Sequence, residues 1–129
     1  MKALSVQQPW AWAIIQAGKD IENRTWRTHY RGWIVIHASA KPQSDWSMPR
    51  GVRKPRPSDL VRGVIVGVAR LTDVVDTSRS KWFDGPYGWV LERPRKLRRP
   101  VLCKGRLGLW TVPPALAAQI TRQLGRLTI

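Results

Sequence analysis

The sequence predicts an α+β fold: a small mixed β-barrel of five to six strands with flanking helices. Three observations carry this expectation. First, 129 residues is the length of one ordinary domain with one core, spanning 1–129. Leu, Ile, Val and Phe make up about a quarter of it, above the roughly 20% level below which disorder sets in. Second, five or six short stretches rich in β-branched residues are separated by Gly, Pro and Asp. Third, two apolar helical stretches lie near the two ends, each opened by proline.

The elements read in order as follows. Residues 3–6 form a short strand. Pro9 suits a first helical turn, where its missing N–H is no loss, and the apolar run from Trp10 to Ala17 predicts a helix over 8–17. Gly18 can end it in a left-handed conformation. Residues 21–26 and 32–38 are strands, the second centred on Ile34, Val35 and Ile36. Pro, Ser and basic residues make 41–59 a long loop. Residues 63–71 are apolar on both faces and predict a central strand. An irregular segment covers 73–86. Strands follow over 87–93 and 101–112, with a basic turn between them. Pro113 and Pro114 open a last helix over 113–124. No internal repeat or low-complexity tract occurs.

Charge narrows the function. Lys plus Arg number 23 against 8 Asp plus Glu, giving a net charge of +15. So basic a surface seeks polyanions. The cations cluster at Arg24, Arg27 and Arg31, at Arg50, Arg53, Lys54 and Arg56, and at Arg93, Arg95, Lys96, Arg98 and Arg99. They read as a phosphate-gripping rim around a polar cleft. One cysteine, Cys103, excludes an internal disulfide framework and a cysteine-based zinc cluster. Two histidines, His29 and His37, cannot form a three-histidine metal site. Neither a metal nor another cofactor is expected. No apolar run approaches the ~18 residues of a membrane span, and residues 1–8 lack a secretory core. A soluble cytoplasmic protein is the default expectation. No long amphipathic helix carries the charge, which disfavours a membrane surface as partner.

Three stretches together resemble the ASCH domain family, a branch of the PUA-like barrels. They are residues 4–12 (LSVQQPWAW), residues 18–26 (GKDIENRTW) with Gly32 and His37-Ala38-Ser39 beyond them, and residues 87–91 (YGWVL) followed by 104–110 (KGRLGLW). The family hallmark is Gly-x-Lys-x-x-Glu-x-Arg. Lys19, Glu22 and Arg24 keep its spacing, whereas Ala17 stands at the first Gly and Gly18 can supply the turn instead. The resemblance implies a PUA-like barrel that binds RNA or another nucleic acid in a cleft around the motif. It also implies two alternatives found or proposed among relatives: amidohydrolysis of N4-acylated cytidine, and ribonuclease activity. Some amidohydrolase relatives use a Lys-x-x-Thr pair. Glu22 stands at the threonine position, so a threonine-nucleophile mechanism does not transfer.

The residues themselves suit either chemistry. Strand alternation places Glu22, Arg24 and Trp26 on one face, with Lys19 in the turn before them. The indole can stack on a base, Glu22 can accept from an exocyclic amine, and Arg24 can fork a phosphate. Alternatively Lys19 can stabilise an oxyanion or act as a base, while Glu22 activates water, making these two the candidate catalytic residues of a metal-free hydrolase. The bland alternative is an ion-pair cluster that merely neutralises itself. Trp12, Trp26, Arg27 and Ser39 are the further candidates for contacting base or phosphate. Trp10, Trp33 and Trp89 are expected in the core, His37 as a hydrogen-bonded core histidine, Glu92 as a salt-bridged strand residue and Cys103 as a buried apolar one.

Overall fold

A computed structural model describes residues 1–127. Six strands form one sheet: β1 (Lys2–Val6), β2 (Ile21–Arg24), β3 (Gly32–Ala38), β4 (Val64–Val75), β5 (Tyr87–Leu102) and β6 (Leu109–Thr111), in the order β2-β5-β4-β3-β1-β6. Two helices accompany them, α1 (Trp10–Gln16) and α2 (Pro114–Leu124). β1 and β3 run parallel and the other neighbours antiparallel. A parallel pair needs a long crossover, and residues 7–31 supply it, with α1 and β2 inside it. The mixed sheet curls into a half-barrel, with β2 and β6 as its edges.

Alternation sets the two faces. Leu4, Val6, Ile34, Ile36, Ala38 and Leu71 pack with Ala11, Ile14 and Ile15 of α1. Ala3, Val35, Ile65, Val68, Leu97 and Trp110 pack with Ile120 of α2. The far side of α1 does not meet solvent either. Met48, Val52 and Leu60, from the loop before β4, close over Trp12 and Ala13, and the Arg53 guanidinium stacks 4.8 Å from the Trp12 ring centre.

The third basic cluster is not a turn between two strands. β5 runs straight through it for 16 residues. Turn-like residues are absorbed as bulges instead. From Arg70↔Glu92 to Val68↔Arg95 the ladder advances two residues on β4 and three on β5, the extra one lying beside Arg93, whose φ is +52°. From Gly67↔Lys96 to Ile65↔Val101 it advances two on β4 and five on β5. Gly67 permits this second bulge. A Cβ there would collide with the Arg95 carbonyl oxygen and stand 2.8 Å from Ile15 Cδ1. The expected strand over 101–112 is correspondingly divided between the end of β5 and short β6. β4 extends past its expected end to Val75.

Candidate functional site

A cleft of about 850 Å³ lies between β1 and the edge strand β2. Ser5, Val6 and Gln7 line it from the β1 side, and Lys19 with residues 22–26 from the β2 side. Arg24 spans the gap: its Nη2 donates to the Ser5 carbonyl oxygen at 2.9 Å.

The hallmark residues meet on the floor. Gly18, at φ +75°, ends the α1 segment and turns Lys19 inward. Lys19 is 5% exposed and Glu22 7%, low values for charged residues, which are rarely buried unless paired. Glu22 Oε2 accepts from Arg24 Nε at 3.1 Å and forms an ion pair with its Nη2 at 2.9 Å. Its Oε1 faces Lys19 Nζ at 3.7 Å, beyond hydrogen-bond distance. Lys19 Nζ instead donates to the Ile21 carbonyl oxygen. Two indoles flank this ammonium, with the Trp10 and Trp82 ring centres each 5.6 Å away. Burial pulls the Lys19 pKa below its usual value, and the Glu22 carboxylate opposes that shift only in part. Oε1 is thus the oxygen of Glu22 left for a visiting donor.

Aromatic walls rise from this floor. Trp26, just past the end of β2, is 36% exposed and stands edge-on to fully buried Trp89, ring centres 4.7 Å apart. The Trp89 indole N–H donates to the Trp26 carbonyl oxygen, which fixes the turn. Trp10, Trp46, Trp82 and Phe83 complete the walls. Asn23 holds the last two in place: its Oδ1 accepts from the Asp84 and Gly85 amides, and its Nδ2 donates to the Trp82 carbonyl oxygen.

Five side chains lie elsewhere than expected. Trp12 is 2% exposed and lies in the core, not the cleft. Trp10 and Trp12 are two residues apart, so about 200° separates them around the helix. Trp10, expected in the core, takes the cleft side. Ser39 is outside the lining, its amide donating to the Val6 carbonyl oxygen. Arg27 is also outside, stacked 4.9 Å over the Tyr87 ring centre. Glu92 is exposed and, among the described residues, has no ion-pair partner. Sequence reasoning did not find Trp46, Trp82 or Phe83. Their signal was large aromatics stranded in polar, Pro- and Asp-rich loops.

His37 lies behind the cleft floor, 1% exposed. Its Nε2 donates to the Cys103 carbonyl oxygen at 2.6 Å, which leaves Nδ1 to accept from Ser5 Oγ at 3.0 Å. Ser5 Oγ in turn accepts from the Trp110 indole N–H at 3.2 Å. The ring is therefore neutral and fully satisfied, and burial lowers its pKa from 6.5. The unfolded chain then binds the extra proton first. Stability from this group is complete above pH 6.5 and falls with pH down to the lowered folded-state value, by up to about 1.4 kcal/mol per pH unit. Urea titrations between pH 7.5 and 4.5 should show this slope in the wild type and its loss in His37→Gln. Equal slopes would contradict the assignment. Among the described residues, no group of three or more His, Cys, Asp or Glu gathers to hold a metal. No described helix is long and apolar enough to cross a membrane.

A curled mixed sheet with a charged, aromatic-walled cleft beside its edge strand β2 defines a domain of the PUA-like class. Within that class the chain belongs to the ASCH domain family, whose profile matches residues 4–97. Residues 104–110, part of the resemblance, lie beyond that match. Among curated proteins the chain is similar to activating signal cointegrator 1 of Homo sapiens, 27% identical over 124 residues, covering 83% of the chain and 21% of that protein. The Mus musculus protein is 25% identical with the same coverage. The chain therefore spans about a fifth of the length of these relatives. Among solved structures it resembles ASCH from Zymomonas mobilis at TM-score 0.56 and 15% identity, covering 94% of this chain and 93% of that one. A Tyr-to-Phe point mutant of the Zymomonas mobilis protein gives TM-score 0.57 at the same identity, covering 94% and 96%. At that identity the likeness concerns the fold.

Proposed function

We propose that the chain binds nucleic acid, RNA in the first place, and holds one base or modified nucleoside in the cleft above Lys19, Glu22 and Arg24. The observation that carries this is the pairing of stackable indoles with a buried ion cluster in one 850 Å³ cleft, on a chain of net charge +15. Trp26 offers a partly exposed ring for stacking. Glu22 Oε1 accepts from an exocyclic amine. Arg24, oriented by Glu22 and the Ser5 carbonyl, presents its remaining donors to a phosphate. The ASCH family membership supports the same reading.

Trp26→Ala should weaken binding of a short single-stranded RNA by about 5- to 150-fold, the ~1–3 kcal/mol of one stacked base. Trp26→Phe should restore most of it. The salt slope should not change, because no phosphate contact is removed. Wild-type affinity in Trp26→Ala, measured by fluorescence titration, would exclude the cleft as the base site.

One observation favours a second reading, deacylation of N4-acylated cytidine. Lys19 is a buried amine of lowered pKa beside a carboxylate oxygen, 3.7 Å away, that has no hydrogen-bond partner among the described residues. The free amine that burial favours can take a proton from a water that Oε1 orients toward the amide carbonyl, and pass it to the departing cytosine amine as the C–N bond breaks. Turnover of N4-acetylcytidine in chelator, lost in Lys19→Ala, would establish it. No turnover at high protein concentration leaves binding as the function. The ribonuclease reading gains no observation of its own.

A further inference from the structure

The basic run on β5 does not rim the cleft. None of Arg93, Arg95, Lys96, Arg98 and Arg99 lines it. All five are exposed, and the two bulges of β5 fall among them. We propose that this doubly bulged stretch is a second, separate site: a preformed ridge that grips the sugar-phosphate backbone of the same nucleic acid strand whose base enters the cleft. The inference rests on the cleft reading for the strand's direction, but not for the ridge's own affinity.

The ridge is fixed from behind. Leu97, fully buried, anchors its centre in the core beneath α2. Gln123 clamps its far end, accepting from the Arg99 amide at 3.0 Å and donating to the Arg99 carbonyl oxygen at 2.8 Å. Arg95 Nη2 donates to the Leu124 carbonyl oxygen at the C-terminal end of α2. Among the described residues, no carboxylate pairs with any of the five cations. A backbone already fixed adds no ordering cost of its own when its cations meet an anion, which leaves only the side chains to be ordered. The side chains of Arg93, Lys96 and Arg98 have no intramolecular hydrogen bond among the described residues.

The strand itself supplies the track. β5 begins at the cleft, where Tyr87 pairs with Arg24 and Trp89 with Glu22. Arg93 follows four residues after Trp89, at most about 13 Å along the strand. From Arg93 to Arg99 is at most about 20 Å more, long enough to lie along several phosphates of one strand. A row of phosphates is the polyanion that matches a row of cations of this length.

The test is a salt series with a 12-nucleotide single-stranded RNA. Lys96→Ala/Arg98→Ala removes two ridge charges whose side chains have no hydrogen bond or ion pair among the described residues. Lys41→Ala/Arg79→Ala removes two exposed charges from other loops. The ridge variant should lower the slope of log K against log salt by about 1.4, at ~0.7 per phosphate. The control should lower it by less than about 0.3. A wild-type slope in the ridge variant, or an equal fall in the control, overturns the ridge. If Trp26→Ala binds like wild type while the ridge variant still loses slope, the cleft reading fails and the ridge stands. Absence of salt-dependent RNA binding by the wild type overturns both.

Discussion

Glu22→Ala should destabilise the fold by about 3–5 kcal/mol, the range for breaking a buried ion pair by removing one partner. Glu22 is the only carboxylate that the described structure pairs with Lys19 or Arg24. Without it, two cations face each other in a cleft floor where the Lys19 side chain is 4% exposed. The pH dependence follows from the same geometry. Burial already holds the folded-state pKa of Lys19 below 10.5, and Glu22 supplies the largest opposing effect. In Glu22→Ala that pKa drops further. Between the folded value and 10.5 the unfolded chain holds the proton that the folded chain has released, so stability rises with pH across that window. The deficit of the variant should therefore shrink from pH 7 to pH 9.5. Urea unfolding at the two pH values reads both effects. A loss below about 1 kcal/mol, or a deficit that does not change with pH, would show that the cluster is solvated and not buried.

Gly67→Ala is the second large effect, at about 2–4 kcal/mol, at or above the usual cost of overpacking. The new methyl meets both a backbone carbonyl, that of Arg95, and the Ile15 side chain. A flexible side chain can yield, but a carbonyl in a ladder cannot without moving the bulge that carries Lys96 to Val101. At roughly 4 °C per kcal/mol for a domain of this size, the melting temperature should fall by about 8–16 °C. A drop under about 2 °C would mean that the second bulge adjusts freely, and the ridge would lose its fixed backing.

What could be read from the residues depended on how local the cause was. Residues 32–38 form a strand with the expected bounds, because its β-branched centre and Gly32 start are local signals. The turn at Gly18 and the convergence of Lys19, Glu22 and Arg24 follow from spacing of two and three residues. The basic stretch of β5 was not legible as strand. Pro94, Pro100 and five cations read as a turn, whereas pairing with β4 and packing of Leu97 keep them in the ladder. Trp12 and Trp10 exchanged places for a nonlocal reason: the loop carrying Arg53 covers one side of α1 and leaves the other to the cleft. The walls built from Trp46, Trp82 and Phe83 depend on where two long loops fold back. Asn23 fixes one of those loops through three hydrogen bonds across some sixty residues of sequence.

Eight tryptophans give the central claim its most direct measurement. Each indole N–H reports its own surroundings in a two-dimensional NMR spectrum, once assigned by single Trp→Phe variants. Adding a short single-stranded RNA should move the signals of Trp10, Trp26, Trp46 and Trp82, which line the cleft. Unmoved signals from these four at saturating RNA would contradict a base held above Lys19, Glu22 and Arg24.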